Sequence, residues 1–302
     1  MAHLPFAVKP EFVRGCTMRC VFCGLRHQKW AEQEWQYIDI DFFALYCASL
    51  ASWRPKVRME IANRGEQTFH PHFLSLIKVA RDYLPRAQIL VTTNTDMVVQ
   101  LGELGFVNFV QDAMRVGVNV FLLHCYTPRR LELITRLFKN YAGTFFDTPG
   151  SIQINPYPYR GPLFKAICIK DAVPKPVKES VLLHYHNQGN NANVSDNPSA
   201  LQLYPNITTP AEPLRRMCPR PFREFPMWYD GSVPICCDDW ADQHIIGRFP
   251  DKSLPELWSL YDPTRRHLLA KDRDGAGLPC RFCTEGEGKR YGLELNWFGD
   301  RS

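Results

Sequence analysis

The residues best suited to chemistry stand between Gly15 and Leu25, where the run Gly-Cys-Thr-Met-Arg-Cys-Val-Phe-Cys-Gly-Leu offers thiols at Cys16, Cys20 and Cys23. Spacings of three and then two residues let one tight loop wrap its sulfurs around a single face of a metal centre. Short cysteine spacings of this kind are the usual way a chain holds an iron–sulfur cluster. Three ligands leave such a centre open on one side. Two other readings of the same residues stand: buried cysteines in a strand-to-loop connection, or a zinc site completed by a distant fourth ligand. A second set follows in Cys218, then seventeen residues to Cys236, the adjacent Cys237, then forty-two residues to Cys280, and Cys280-x2-Cys283. Four of these thiols can close a second cluster or hold a structural zinc.

The elements that must position these thiols follow an alternating pattern. An apolar, β-branched run from Phe6 to Val13 leads straight into the cysteine loop, as a strand delivering ligands from its C-terminal end does. Ile40 to Trp53 has helical spacing behind a cap at Asp39, and Val57 to Ala62 returns to strand character. The alternation continues through a helix from His72 to Tyr83, a strand from Gln88 to Thr93 and helical stretches between Met97 and Arg115. A strand Val118 to His124, a helix Pro128 to Asn140 and a short strand Ser151 to Asn155 complete it. Repeated strand-then-helix units predict an α/β fold with a parallel sheet and right-handed crossovers, curled into a partial (β/α) barrel of about six strands. Prolines and glycines interrupt the pattern between Pro156 and Pro176. A last candidate strand, Val181 to His186, precedes an Asn-, Pro-, Ser- and Thr-rich stretch.

Beyond that stretch, Trp228 to Val233 reads as a hairpin turning at Asp230-Gly231 and carrying Cys236 at its end. Leu254 to Ala270 reads as one helix, with Ser253 and Glu256 as a capping box. Neighbours on an extended strand face opposite sides, so Cys236 and Cys237 are not both expected to ligate. Cys47, Cys125 and Cys168 are expected in the core. The boundaries predicted are a barrel over 1–188, a linker or surface loop over 189–213 and a cluster-binding extension over 214–302.

With the loop, the strand ends and the extension in view, the chain resembles the radical S-adenosylmethionine enzymes. Cys-x3-Cys-x2-Cys with an aromatic residue before the last cysteine is similar to that family's signature loop. The resemblance implies that Cys16, Cys20 and Cys23 bind three irons of a [4Fe-4S] cluster, that S-adenosylmethionine chelates the fourth, and that Phe22 lies near the adenine. It implies reductive cleavage of the sulfonium to methionine and a 5′-deoxyadenosyl radical. Asn63-Arg64-Gly65-Glu66-Gln67 resembles the family's Gly-Gly-Glu motif with arginine at the first glycine. Gly65 then permits close backbone approach, and Glu66 accepts from the methionine ammonium. Thr93-Asn94-Thr95 resembles Thr-Asn-Gly and places Asn94 near the cofactor; a turn-forming asparagine is the other reading. His124 ends a strand where the family has a polar contact to ribose or carboxylate; a buried, backbone-satisfied histidine is the alternative. The C-terminal part resembles the SPASM or twitch extension through Gly231-x4-Cys236, Ile246-Gly247 and Ser253-Leu254-x2-Leu257-Trp258. No cysteine follows Cys283, so the shortened twitch form fits better. It implies one auxiliary [4Fe-4S] cluster on Cys218, Cys236, Cys280 and Cys283, with Gly-x4-Cys favouring Cys236 over Cys237.

Bulk properties narrow the function classes. A chain of 302 residues, 45% hydrophobic and 22% charged, can bury a full core. Net charge of +5 is compatible with an anionic substrate but too mild to require nucleic acid. No stretch approaches the ~20 apolar residues of a membrane span, and the start lacks a signal pattern, so a cytoplasmic protein without a membrane partner is expected. Eleven cysteines in that reducing compartment argue for metal ligation over disulfides.

The function expected is that of an oxidoreductase or isomerase that abstracts a hydrogen atom from a small molecule or nucleotide. It would be fed electrons by a donor such as flavodoxin or ferredoxin. With the loop beginning at residue 16, no preceding peptide-binding domain is expected. Alternatives are modification of a peptide or protein side chain, or of a modified base in DNA, the latter suggested by Arg215, Arg216, Arg220 and Arg223 unless these are a solvated face. From another class comes a non-catalytic metal-binding structural protein. Substrate identity does not follow from fold.

Overall fold

The computed structural model describes residues 4–18, 20, 23–28, 33–140, 151–154, 165–171 and 218–283. The chain divides into two compact units, one built from Phe6–Val13 and Tyr37–Pro174, the other containing Arg14–Gln36 and Lys175–Glu294. No described helix is long and apolar enough to cross a membrane.

The first unit alternates strands and helices: β1 (Ala7–Pro10), α1 (Ile40–Trp53), β2 (Arg58–Ile61), α2 (Phe73–Tyr83), β3 (Gln88–Thr93), α3 (Met97–Val116), β4 (Val120–Cys125), α4 (Pro128–Asn140), β5 (Ser151–Ile154) and β6 (Ala166–Asp171). The six strands pair in parallel in the order β5-β6-β4-β3-β2-β1, which gives the partial-barrel α/β architecture that the alternation predicts. Asp39 caps α1 by accepting from the Phe42 amide at 2.9 Å, and the helix buries Phe43, Tyr46, Cys47 and Leu50, an i, i+3, i+4, i+7 stripe. Gly102, with φ 70°, breaks α3, so the helical stretches form two segments joined at a glycine that tolerates the left-handed region. One sheet face packs Leu90, Val120, Ala166 and Cys168 together, with Leu122 against them. At about 1.5–3 kcal/mol for a fully buried aliphatic side chain, this layer holds the strand ends in register. Cys47 and Cys125 are also buried.

Two features of this unit depart from expectation. The segment predicted to be irregular between Pro156 and Pro176 contains β6, which lies between β4 and β5 although it follows both in sequence. Its run Ala-Ile-Cys-Ile is continuously apolar, as a doubly covered parallel strand must be, and the surrounding prolines and glycines hide it. The candidate strand Val181 to His186 and the stretch 189–213 lie outside the described residues.

The second unit contains a short helix, α5 (Arg220–Arg223), then β7 (Glu224–Met227), β8 (Ser232–Pro234), β9 (Ile245–Arg248), α6 (Leu254–Ser259) and α7 (Asp262–Leu269). The Asp230-Gly231 turn forms as expected: Gly231 has φ 87°, its amide donates to Trp228 O at 3.0 Å, and the Trp228 amide donates to Ser232 O at 2.8 Å. β8 and β9 pair antiparallel with a bulge between Val233 and Pro234. The capping box is present at Ser253 and Glu256. The single helix expected over Leu254 to Ala270 is instead two helices. Pro263 sits in the first turn of α7, where a missing N–H costs nothing, whereas inside a continuous helix it would remove a bond and clash with the preceding turn. Arg265 stacks 3.8 Å from the Trp258 ring and donates to Pro221 O at 2.8 Å, while Tyr261 donates to Pro234 O at 2.7 Å. Hairpin, α5 and both later helices are thereby tied into one frame.

Candidate functional site

In the first unit the candidate site forms at the C-terminal ends of β2 and β3. Gly65 has φ 88°, a backbone region that a side chain disfavours, and Glu66 follows this turn directly. The buried Glu66 carboxylate accepts from the Thr68 hydroxyl at 2.6 Å and amide at 3.3 Å, and from the Asn94 amide at 2.6 Å. Burial pushes its carboxyl above the ordinary value, opposed by the bonds from Asn94, Thr68 and Thr93. Glu66 thus joins the two strand ends.

Asn94 is used partly as the turn reading expects, its Oδ1 accepting from the Asp96 amide at 2.8 Å. Thr95, at the position of the resembling motif's glycine, nevertheless keeps φ 65°. That conformation costs a non-glycine residue about 1–2 kcal/mol and is held by Arg130, whose Nη1 donates to Thr95 O at 2.6 Å and whose Nη2 meets Asp96 Oδ1 at 3.3 Å. His124, at the end of β4, contacts Tyr126 Oη through Nδ1 at 3.4 Å. Its Nε2 is buried with no hydrogen-bond partner among the described residues. Burial, with Lys170 nearby, lowers its pKa to about 4 and keeps the imidazole neutral.

The second unit holds both thiol sets. Gly15 opens the first against Trp35: a Cβ added there would lie 2.5 Å from the indole Cγ. Arg14 anchors the start of the loop by pairing with Asp242 at 3.2 Å and lying over the Tyr229 ring at 6.0 Å. Cys16 Sγ accepts from the Met18 amide at 3.4 Å, and Cys23 Sγ from the Leu25 amide. The Cys23 amide donates to Cys20 O at 3.1 Å. Burial pushes the Cys23 thiol up to about 12, the Leu25 amide opposing and Cys20 adding to the shift. Phe22 lies outside the described residues.

The later thiols repeat this local geometry. The Cys283 amide donates to Cys280 O at 3.2 Å, the same closure as in Cys20-x2-Cys23. Cys218 Sγ accepts from the Arg220 amide and Cys236 Sγ from the Asp238 amide at 3.4 Å. Cys218 and Cys280 pack together with Leu268 and Ala276, and burial raises both thiols to about 12. Cys283 adds to the shift of Cys218. The strand expected to carry Cys236 and Cys237 ends at Pro234, and a turn closed by the Asp239 amide on Cys236 O at 3.1 Å holds both. Opposite-facing geometry therefore does not separate them, and the Cys236 thiol is raised chiefly by its bond with Cys237. Among the described residues no three His, Cys, Asp or Glu side chains converge closely enough to hold a single ion.

The donor chemistry fits iron–sulfur centres in both places. Four of the seven candidate sulfurs, Cys16, Cys23, Cys218 and Cys236, accept an amide from two residues on. Such bonds favour the thiolate that ligates metal and help set a cluster's potential.

One of the arginines offered as a basic face contributes here instead, and so do further residues that had no role assigned from the sequence. Arg220 is not on a solvated face: its guanidinium donates to Cys237 Sγ and lies 3.5 Å from Asp238 and 3.8 Å from Glu224. Arg273, 4% exposed, counters the charge of Cys218 and Cys280. Glu11, Gln67 and Thr68 support the strand-end site. The adjacency of Gln67 and Thr68 to the Gly-Glu pair is the one signal that pointed there.

No family model matches the chain, and no curated protein matches it. Solved structures do. BtrN in complex with AdoMet and 2-DOIA is similar with a TM-score of 0.64 at 16% identity, over 94% of this chain and 95% of that one. BtrN in an open conformation gives 0.58 at 13% identity, over 94% of each. Streptococcus suis SuiB bound to precursor peptide SuiA gives 0.44 at 14% identity, over 87% of this chain and 67% of that one. The alternating barrel unit and the BtrN likeness across nearly the full length agree: the chain has the fold of the radical S-adenosylmethionine enzymes.

Proposed function

We propose that this protein is a radical S-adenosylmethionine enzyme with one auxiliary [4Fe-4S] cluster, which abstracts a hydrogen atom from a small molecule and oxidises it. The repeated thiol geometry carries the reading: two Cys-x2-Cys turns with the same backbone closure, and amide-to-sulfur bonds in both sets. Cys16, Cys20 and Cys23 hold the first cluster, and Cys218, Cys236, Cys280 and Cys283 the second. When bound, the first cluster with S-adenosylmethionine supplies a 5′-deoxyadenosyl radical, and the second supplies an electron acceptor.

The remaining chemistry belongs to the chain's own groups. Glu66 orients the methionine ammonium through a charge-assisted bond. The turn at Gly65 lets the backbone approach, and Asn94 and the neutral His124 offer polar contacts farther along the same sheet edge. A reduced flavodoxin or ferredoxin supplies electrons in the cytoplasm. A small substrate is favoured because the likeness to BtrN, solved with AdoMet and 2-DOIA, covers 95% of that chain.

The test is anaerobic reconstitution with iron and sulfide. About eight irons per chain are expected from two four-iron centres, with a reduced-state EPR signal that changes on adding S-adenosylmethionine. One zinc and four irons would remove the auxiliary cluster, and a signal indifferent to S-adenosylmethionine would remove the open-site assignment.

A further inference from the structure

Arg64 stands where the resembling motif has a glycine, and the structure gives that departure a partner. Its side chain is 1% exposed and that of Glu11 is 0% exposed. Arg64 Nε lies 2.7 Å from Glu11 Oε1, and Nη2 lies 3.5 Å from Oε2, a two-pronged arrangement. Taking both charges out of water costs several kcal/mol per ion, which mutual attraction recovers only with good geometry. A pair of this kind is therefore a weak stabiliser but a strong constraint on orientation.

Its constraint falls on the segment that carries Glu66. Gln67 Nε2 donates to Arg64 O at 2.7 Å and to Val13 O at 3.1 Å, while its Oε1 accepts from the amides of Phe12 and Val13. Asn63 Nδ2 donates to Lys9 O. Residues 63, 64 and 67 are thus tied to residues 9 to 13 on both sides of Gly65, whose φ of 88° makes it the natural pivot. The other cations on these strands, Lys9 and Arg58, both pair with Glu60, at 3.2 and 2.6 Å.

We propose that Arg64 and Glu11 act as a positioning pair, locking the Gly65 turn so that the Glu66 carboxylate is aimed before S-adenosylmethionine arrives. The proposal rests on the reading of Glu66 as the ammonium acceptor. It makes a counterintuitive demand: R64G, which restores the resembling motif, weakens the site because Glu11 is left buried without its arginine.

Three chains are compared for S-adenosylmethionine affinity by equilibrium dialysis, for KM and kcat of uncoupled 5′-deoxyadenosine formation, and for thermal melting: unsubstituted, R64G and the apolar double variant R64M/E11L. Replacing a buried ion pair by apolar residues is often neutral or stabilising, so the double variant is expected to melt at or above the unsubstituted temperature. R64G and R64M/E11L are each expected to bind S-adenosylmethionine about tenfold more weakly, the scale of one charge-assisted hydrogen bond. KM should rise while kcat stays within about twofold. A folded R64M/E11L protein with unchanged affinity and KM overturns the positioning role and leaves Glu66 untouched. Failure of the unsubstituted protein to bind S-adenosylmethionine overturns the reading of Glu66 and this role with it.

Discussion

A neutral imidazole whose buried Nε2 has no hydrogen-bond partner among the described residues makes His124 sensitive to acid. In the unfolded chain the ring titrates near 6.5, whereas burial and Lys170 hold it to about 4 when folded. Between those values the unfolded state takes up a proton that the folded state refuses. Stability is therefore lost as pH falls through this window and is level above it. The full effect is about 3 kcal/mol at most. Urea unfolding at pH 7 and pH 5 should show a drop for the unsubstituted protein that shrinks in H124Q, and equal drops in the two chains would mean that another group titrates. Residues at this scale were legible where chemistry restricts the choice. Gly65 takes a backbone angle that favours glycine, and Glu66 follows it directly. Glu11 was not legible, because nothing local marks an ordinary glutamate 53 residues before its arginine as buried.

At the scale of elements, the cysteine loop depends on how closely its first residue approaches Trp35. Gly15 is needed there for space, since an added Cβ would fall 2.5 to 2.7 Å from three indole atoms. G15A should displace the indole and cost about 1–3 kcal/mol, as overpacking usually does. Reconstituted iron should fall from about eight toward four per chain, the loss expected if one of two four-iron centres fails. Unchanged melting and full iron loading would show that the loop tolerates the methyl group. The helices and strands of the barrel were legible because apolar spacing and caps agree, as at Asp39 and over Gln88–Thr93. β6 was obscured by the surrounding prolines and glycines, and its insertion between β4 and β5 is a long-range choice that no local signal encodes. The break before α7 was readable in Pro263 but was outweighed by the helical spacing on either side.

Across the whole molecule, two sets of thiols with the same local turn serve one proposed reaction at different stages. In that proposal the first is needed to cleave S-adenosylmethionine, the second only to complete the oxidation of substrate. The two sets should therefore fail differently, provided iron counts and circular dichroism establish that each variant folds, since cluster binding also contributes folding energy. The most direct measurement is formation of 5′-deoxyadenosine from S-adenosylmethionine by reduced, reconstituted protein. The unsubstituted chain and C280A/C283A are expected to form it, the latter without converting substrate, and C16A/C20A/C23A is expected to form none. Its persistence in the triple variant, or its absence from unsubstituted protein carrying about eight irons, would contradict the proposed function.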